Sequence, residues 1–158
     1  MATLGISTNT RLVSVAVISH HQLIDYFTNL HKASWSPAKA DQIIASLEPC
    51  VRQYCIKSVV LSIPHAYHQT KEHKALIRAL HTFFTKQHIT VSTQTPAAFT
   101  PFYKEGKKKT KKVLMQEVVQ LFPELHSCYT KEMRNKNKYY YKLFEAVAVA
   151  TLAEMELN

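Results

Sequence analysis

The stretch TLGISTNTRLVSVAVISHHQLIDYF, residues 3–27, contains three apolar runs separated by two short polar breaks. The first break is the turn-forming sequence STNT at 7–10, and the second is HHQ at 20–22. The run between them is rich in β-branched residues, which favour strands. Three such runs with short connections predict an antiparallel meander, and polar residues leave the predicted sheet where its first strand ends.

Beyond the meander, helical and extended segments alternate along the chain. Ser36 and Pro37 are typical of a helix start, because serine caps a helix and proline suits its first turn. Pro49 lies inside this helix and is expected to kink or divide it near Leu47. The stretch 124–138 is polar and basic, and we expect it to be rich in loops. Apolar spacing predicts further helices near 72–86, 114–122 and 140–156, and short strands at 58–63 and 89–93.

The predicted order of elements is therefore β-β-β-α-β-α-β-α-α. A meander followed by strands that alternate with helices predicts a mixed sheet with helices on its faces. The central strands should be parallel and their crossovers right-handed. A chain of 158 residues is expected to form a single domain over 1–158 with a substantial core.

The charge balance points to an anionic partner. Twenty lysines and arginines against eleven acidic residues give a formal net charge of +9. This excess favours nucleic acid first and a membrane surface second, although a basic protein without a polyanionic partner is also compatible with it. Since no apolar stretch approaches the roughly 18 residues of a membrane span, and no signal peptide is evident, we expect no membrane association.

The cysteines and histidines give weak signals for metals or disulfides. Cys50, Cys55 and Cys128 form neither a disulfide framework nor a zinc motif, which indicates a reducing, cytoplasmic setting. Imidazole clusters suit Zn²⁺ or Ni²⁺. Surface histidines are nevertheless the favoured interpretation of the group that follows the predicted fourth strand, which comprises His65, His68 and His73.

Two lysine-rich segments are the strongest functional signal. The first is interrupted by Gly106, and Thr110 is expected to cap the helix that follows it. A helix start with free N–H groups and flanking cations suits a phosphate, and counterion release would then dominate affinity. A solvated, flexible loop is the competing interpretation. The phosphate-binding residues predicted here are Lys104, Lys107, Lys108, Lys109, Lys111 and Lys112.

The second basic segment runs into three consecutive tyrosines at 139–141. Cations beside aromatic rings can follow a nucleic-acid backbone and stack on unpaired bases. Packing of Tyr140 or Tyr141 in the core with Phe144 is the competing interpretation. The residues predicted to extend the phosphate track are Arg134, Lys136 and Lys138.

Four stretches of the chain resemble RuvC-type Holliday-junction resolvases, a branch of the RNase H-like superfamily. The resemblance extends over most of 3–155 and is specific in order and spacing. It implies an α/β fold of the RNase H-like type, with a five-stranded mixed sheet flanked by helices. The stretches are LGISTNTRLVSVAVI at 4–18, IKSVVLSIPH at 56–65, TPAAFTPFYKEGKKKTKKVLMQEVVQLF at 95–122 and FEAVAVATLAE at 144–154.

The chain departs from that family at the positions that carry its chemistry. In the family, four carboxylates at the carboxyl ends of the strands hold two Mg²⁺ ions, which are hard cations that require oxygen ligands. Carried over position by position, the carboxylates fall on Ser7, Ser62, Lys142 and Glu145. Three of the four are missing. No metal site is therefore expected.

One of the replacements brings a cation to the metal position. An ammonium there repels a divalent ion, since unit charges 4 Å apart interact by about 4 kcal/mol at an effective dielectric constant of about 20. Lys142 and Glu145 are three residues apart on one helix and can pair. We expect the Lys142 ammonium to occupy the space that a metal would fill.

The residues and the resemblance together predict a nucleic-acid-binding domain that lacks an intact catalytic site and a cofactor. Branched or structured DNA is the substrate class that the resemblance implies, and DNA is favoured over RNA. Members of the family act as dimers, so a homodimer is compatible with the resemblance, although no residue pattern here decides the oligomeric state. One alternative is an active Mg²⁺- or Mn²⁺-dependent nuclease with relocated ligands such as Glu145, Asp25 or His65. A second alternative is a protein-interaction scaffold that binds no nucleic acid.

Overall fold

The computed structural model describes residues 2–106, 108–136 and 138–156. The strands are β1 (Thr3–Thr8), β2 (Leu12–Ser19), β3 (Gln22–Leu30), β4 (Ser58–Ser62) and β5 (Thr90–Gln94). The α-helices are α1 (Pro37–Gln53), α2 (Lys71–Lys86), α3 (Lys111–Leu121), α4 (His126–Arg134) and α5 (Tyr141–Glu156). Short 3₁₀ helices span Ala66–His68, Pro96–Phe102 and Pro123–Leu125.

The strands form one mixed sheet in the order β3-β2-β1-β4-β5. The pairs β1–β2 and β2–β3 are antiparallel, which confirms the predicted meander. The pairs β1–β4 and β4–β5 are parallel, as predicted for the central strands. The predicted architecture, a five-stranded mixed sheet flanked by helices, is confirmed.

Each face of the sheet has its own buried cluster because side chains alternate along a strand. On β1, Leu4 and Ile6 belong to the cluster that includes residues of α1 and α2. On β4, Val60 belongs to the opposite cluster, which includes residues of α3 and α5. Helices therefore cover both faces, and polar side chains at the carboxyl ends of β1 and β4 emerge between the two layers.

The first helix follows the predicted start but not the predicted interruption. The Ser36 side chain accepts a hydrogen bond from the Lys39 backbone N–H at 3.2 Å, so Ser36 caps α1. Of the two effects predicted for Pro49, a kink or a division of the helix, the division is wrong, because α1 continues to Gln53. Proline leaves the carbonyl four residues earlier, on Ala45, without its helical donor. Ala45 is exposed, so water can bond to that carbonyl.

The loop-rich character predicted for 124–138 is also wrong, since α4 occupies His126–Arg134. Tertiary contacts stabilise this polar helix. Leu125 is fully buried beside its start, and Cys128 and Tyr129 pack against the cluster of α3 and α5. Glu132 is 1% exposed and binds the start of α5. Propensity alone misses a helix whose stability comes from such anchors.

Gly5 permits a close approach between the sheet and α5. A Cβ atom on Gly5 would lie 2.1 Å from the Ala146 carbonyl oxygen and 2.9 Å from the Ala150 Cβ atom. Both neighbours belong to α5, whose small side chains are fully buried here. Real Cβ atoms do not approach other atoms so closely, so any larger residue at position 5 must displace α5 or β1.

We predict that Gly5→Ala destabilises the protein by at least about 2 kcal/mol, because overpacking a core against backbone typically costs about 1–3 kcal/mol. Gly106→Ala is the control, since a Cβ there meets no atom within 4 Å and only its positive φ opposes the change. Urea denaturation measures both. Equal midpoints for the two variants would contradict the close-contact explanation.

Candidate functional site

The carboxyl ends of β1 and β4 bring two serines together. Ser7 and Ser62 are register partners across the parallel pair, and their exposed fractions are 0% and 3%. Ser7 is two residues from Gly5, and Ser62 is two residues from Val60, so both lie on the face that α5 covers. Two hydroxyl-bearing residues therefore lie side by side at this edge, below α5.

Helix α5 places one acid and one base against this edge. Glu145 Oε1 accepts a hydrogen bond from Ser7 Oγ at 3.2 Å and forms an ion pair with Lys142 Nζ at 3.1 Å. The Glu145 side chain is 8% exposed and that of Lys142 is 24% exposed. The predicted pairing along the helix is present. One carboxylate oxygen is thus shared between an ammonium and a hydroxyl.

A second buried carboxylate fixes the start of α5. Glu132 Oε1 accepts hydrogen bonds from the backbone N–H groups of Tyr139 and Tyr140, and Glu132 Oε2 accepts one from Tyr141. A negative charge at a helix N-terminus complements the helix dipole and bonds to its free N–H groups. Glu132 therefore sets the position of the first five residues of α5, which include Lys142 and Glu145.

His73, at the start of α2, approaches the site from the other layer. It is 5% exposed, and its ring bonds to the backbone of Thr8, the last residue of β1. Burial and the Lys142 ammonium lower the pKa of His73 below its ordinary value of 6.5. Among the described residues, its Nε2 atom has no hydrogen-bond partner. His73 was grouped with His65 and His68 on sequence alone, and its place at this edge was missed.

Two tyrosines complete the surroundings of Glu145. Burial, followed by the Glu145 carboxylate, raises the pKa of Tyr103 and of Tyr141. Their phenols therefore stay protonated at neutral pH and add no charge to the site. Lys111 Nζ lies 4.8 Å from the centre of the Tyr141 ring, a cation–π contact that ties the first basic segment to this site.

Of the three residues considered for a relocated metal site, only Glu145 hydrogen-bonds to Ser7, while Asp25 and His65 contact other residues. Asp25 accepts hydrogen bonds from Tyr54 Oη at 2.9 Å and from the Tyr26 backbone at 2.8 Å. Ser7 aligns across the sheet with Thr28, three residues and about 10 Å from Asp25 along β3. His65 stacks on Tyr67. Within the described ranges, no three His, Cys, Asp or Glu side chains form a group that could hold a metal ion.

The first basic segment surrounds the start of α3. Thr110 caps this helix as predicted, since its hydroxyl accepts a hydrogen bond from the Val113 N–H at 3.2 Å. The predicted residue Lys107 lies outside the described residues. The other predicted lysines of this segment are all exposed to solvent: Lys104, Lys108, Lys109, Lys111 and Lys112.

The two basic segments converge at a pair of adjoining cavities. One, of about 340 Å³, is lined by Lys111, Lys112, Lys138 and Lys142 among others. The second, of about 570 Å³, is lined by Lys136 and Lys138 and also by Arg11. Lys138 lines both, so the cations form a continuous border. Arg134 ends α4 and is exposed.

Arg11 also lines this basic border, although no motif in the sequence singles it out. The Asn9 side chain accepts hydrogen bonds from the backbone N–H groups of Arg11 at 2.8 Å and Leu12 at 2.7 Å, which shapes the β1–β2 turn. This turn lines the second cavity. An isolated arginine in a turn carries no pattern, so only the tertiary structure could reveal its place.

The fold is shared with several solved structures. Thermus thermophilus RuvC in complex with a Holliday-junction substrate superposes with a TM-score of 0.76 at 11% identity, covering 99% of this chain and 94% of that one. A second T. thermophilus RuvC structure gives 0.73 at 12% identity, covering 99% and 97%. The chain has the RuvC fold. Fowlpox virus resolvase in complex with Holliday-junction DNA gives 0.57 at 11% identity, covering 98% and 99%.

The likeness to RuvC concerns structure and not sequence. No protein-family model matches the sequence, and no curated protein matches it. The RuvC-like fold accounts for the strand order and for the edge at which Ser7, Ser62 and Glu145 meet. In the part of the chain that the structure describes, no helix is long and apolar enough to cross a membrane.

We predict that Lys142 and Glu145 are energetically coupled. Removing the ammonium in Lys142→Met leaves a buried carboxylate without its cation, which is strongly destabilising. In a double-mutant cycle with Glu145→Gln, the coupling free energy should be about 1–3 kcal/mol, as for contacting residues in one network. A control cycle pairs Glu145→Gln with Lys86→Met, on α2, and should be additive. Additivity in both cycles would contradict the proposed pairing.

We also predict that His73 makes stability depend on pH. Because its pKa is lowered in the folded protein, the unfolded chain binds protons more readily, and its contribution to stability is lost as pH falls below 6.5. His73→Gln should therefore lose less free energy of unfolding than the wild type between pH 7.5 and pH 5. Denaturation at both pH values measures this, and parallel losses would argue against a buried, neutral His73.

Proposed function

We propose that this protein binds nucleic acid, DNA rather than RNA, through its basic surface and does not cleave it. The observation that carries this proposal is the shared Glu145 oxygen, which is already engaged by the Lys142 ammonium and the Ser7 hydroxyl. The proposed site is a RuvC-type edge in which an internal ion pair stands where a metal pair would be bound.

The groups that could ligate a metal at this edge support the proposal that the protein does not cleave nucleic acid. Two Mg²⁺ ions in a phosphodiester-cleaving site need several charged oxygen ligands in near-octahedral geometry. This edge offers two serine hydroxyls and one carboxylate, and the ammonium lies 3.1 Å from that carboxylate. A divalent ion would have to displace Lys142 from Glu145 and then remain beside a like charge. The residues present therefore fit a divalent pair poorly.

The distribution of lysines supports the proposal that the protein binds nucleic acid. Lysines from the start of α3 and from the α4–α5 connection border the same cavities, next to the site edge. Phosphate contacts of this kind dominate affinity for nucleic acids and release counterions. Two of the structures that share the fold contain Holliday-junction DNA. Branched DNA is accordingly the substrate class that we propose for this chain.

We predict that three lysines at the start of α3 contribute to DNA affinity. Replacing Lys109, Lys111 and Lys112 together by glutamine should weaken binding to a four-way junction at low salt. The slope of log K against log salt is negative, and it should become shallower by roughly 2–3, because each phosphate contact contributes about 0.9 to its magnitude. Fluorescence anisotropy over a salt titration measures both quantities.

The matched control replaces three exposed cations, namely Arg52, Lys57 and Lys86, by glutamine. They lie at the end of α1, directly before β4 and at the end of α2, on the side of the sheet away from the carboxyl ends of β1 and β4, and the control has the same net charge as the test variant. If both triple variants lose affinity equally, binding is a non-specific effect of net charge. If the wild type binds neither DNA nor RNA at low salt, the scaffold alternative replaces the proposal.

We further predict that the purified protein leaves labelled four-way junctions intact in Mg²⁺ or Mn²⁺, because the metal position is held by Lys142. Gel electrophoresis under denaturing conditions detects any cut strand. Cleavage that disappears in Glu145→Ala would establish an active nuclease and overturn the proposal. Cleavage that persists in that variant would indicate a contaminant or another site.

A further inference from the structure

The cavity of about 340 Å³ beside Lys142 differs from an ordinary basic surface, because its interior is mostly apolar. Side chains of Leu12, Met115 and Met133 line it together with Tyr139 and Tyr141. Its volume lies within the range of small-molecule sites, about 300–1,000 Å³. A duplex backbone needs only cations on a surface, so this apolar interior requires a separate explanation.

The charged side chains that line this cavity are mostly positive. Lys111 and Lys112 lie on one wall, in the first turn of α3, and Lys138 lies on another. Among the described residues that line the cavity, the one acidic side chain is Glu132, whose carboxylate is already bonded to three backbone N–H groups. Its backbone carbonyl also accepts a hydrogen bond from Lys138 Nζ at 2.9 Å. The free charge that a ligand meets is therefore positive.

We propose that this cavity receives one unpaired nucleotide of the bound nucleic acid, with the base against the apolar interior and its phosphate between the lysines. This inference rests on the proposed function and adds the substrate feature that the cavity selects. An apolar, aromatic-lined interior suits the faces of a base, and the lysine border suits the phosphate on either side of it.

Contact between the face of a base and the cavity interior requires an unpaired nucleotide. In a duplex both faces of a base are covered by its stacked neighbours, so a paired base would first have to leave the stack. Unstacking is least costly for a base that is already unpaired. Nucleic acids with a bulged, flapped or branch-point nucleotide should therefore bind more tightly than a continuous duplex of the same length.

The mouth of the cavity offers a suitable test position. Met133 lies at the end of α4 and is 39% exposed, so a larger side chain can be placed there without entering the core. Met133→Trp should fill the cavity, and Met133→Lys should remove its apolar wall while adding a cation. Met155→Trp is the matched control, since Met155 is 57% exposed on α5 and does not line the cavity.

The experiment compares two DNA duplexes that differ by one central, bulged 2-aminopurine nucleotide. Anisotropy gives the affinities, and 2-aminopurine fluorescence reports the surroundings of the bulged base. The wild type and Met155→Trp should bind the bulged duplex about tenfold more tightly than the continuous one and change its fluorescence. In Met133→Trp and Met133→Lys the affinity ratio should fall towards one, with unfolding temperatures confirming that both variants fold.

Two outcomes would overturn the inference, and they differ from failure of the proposed function. If the wild type binds both duplexes equally with the expected salt dependence, the protein binds nucleic acid but the cavity selects nothing. The same conclusion follows if the preference persists in both Met133 variants. If neither duplex binds at any salt concentration, the proposed function fails together with the inference.

Discussion

The contact between Gly5 and α5 is the constraint on which the site depends. Without a side chain at position 5, the helix backbone packs directly on β1 at Ala146, one residue beyond Glu145. This proximity brings the Glu145 carboxylate within hydrogen-bond distance of Ser7. Glu132 acts at the helix start, where its carboxylate bonds to the first N–H groups of α5. Two anchors thus hold a buried ion pair at the sheet edge.

The consequence of this geometry is an edge whose charges are satisfied internally. Glu145 is paired with Lys142, and the Glu132 carboxylate is bonded to backbone N–H groups at the start of α5, while burial and the neighbouring ammonium lower the pKa of His73. Among the described residues, the lysines at the start of α3 and in the α4–α5 connection form no ion pair with a carboxylate, and they remain exposed. Positive charge is therefore available to a ligand around the edge and not within it, an arrangement suited to holding a polyanion.

Much of this arrangement is predictable from the sequence, for identifiable reasons. The meander follows from turn residues between β-branched runs, and the Lys142–Glu145 pair follows from their spacing on a helix. Helix α4 was missed because its anchors, Leu125 and Glu132, act through tertiary contacts that no local pattern reveals. Likewise, His73 and Arg11 reach their places only when helix starts and strand ends are assembled in three dimensions.

The measurement that tests the central claim most directly is a crystal structure of the protein soaked in Mn²⁺, with anomalous scattering used to locate the metal. We predict no manganese between Ser7, Ser62 and Glu145, and we expect the Lys142 ammonium to remain paired with the Glu145 carboxylate. Two manganese ions bound at that edge, with Lys142 turned away, would contradict it.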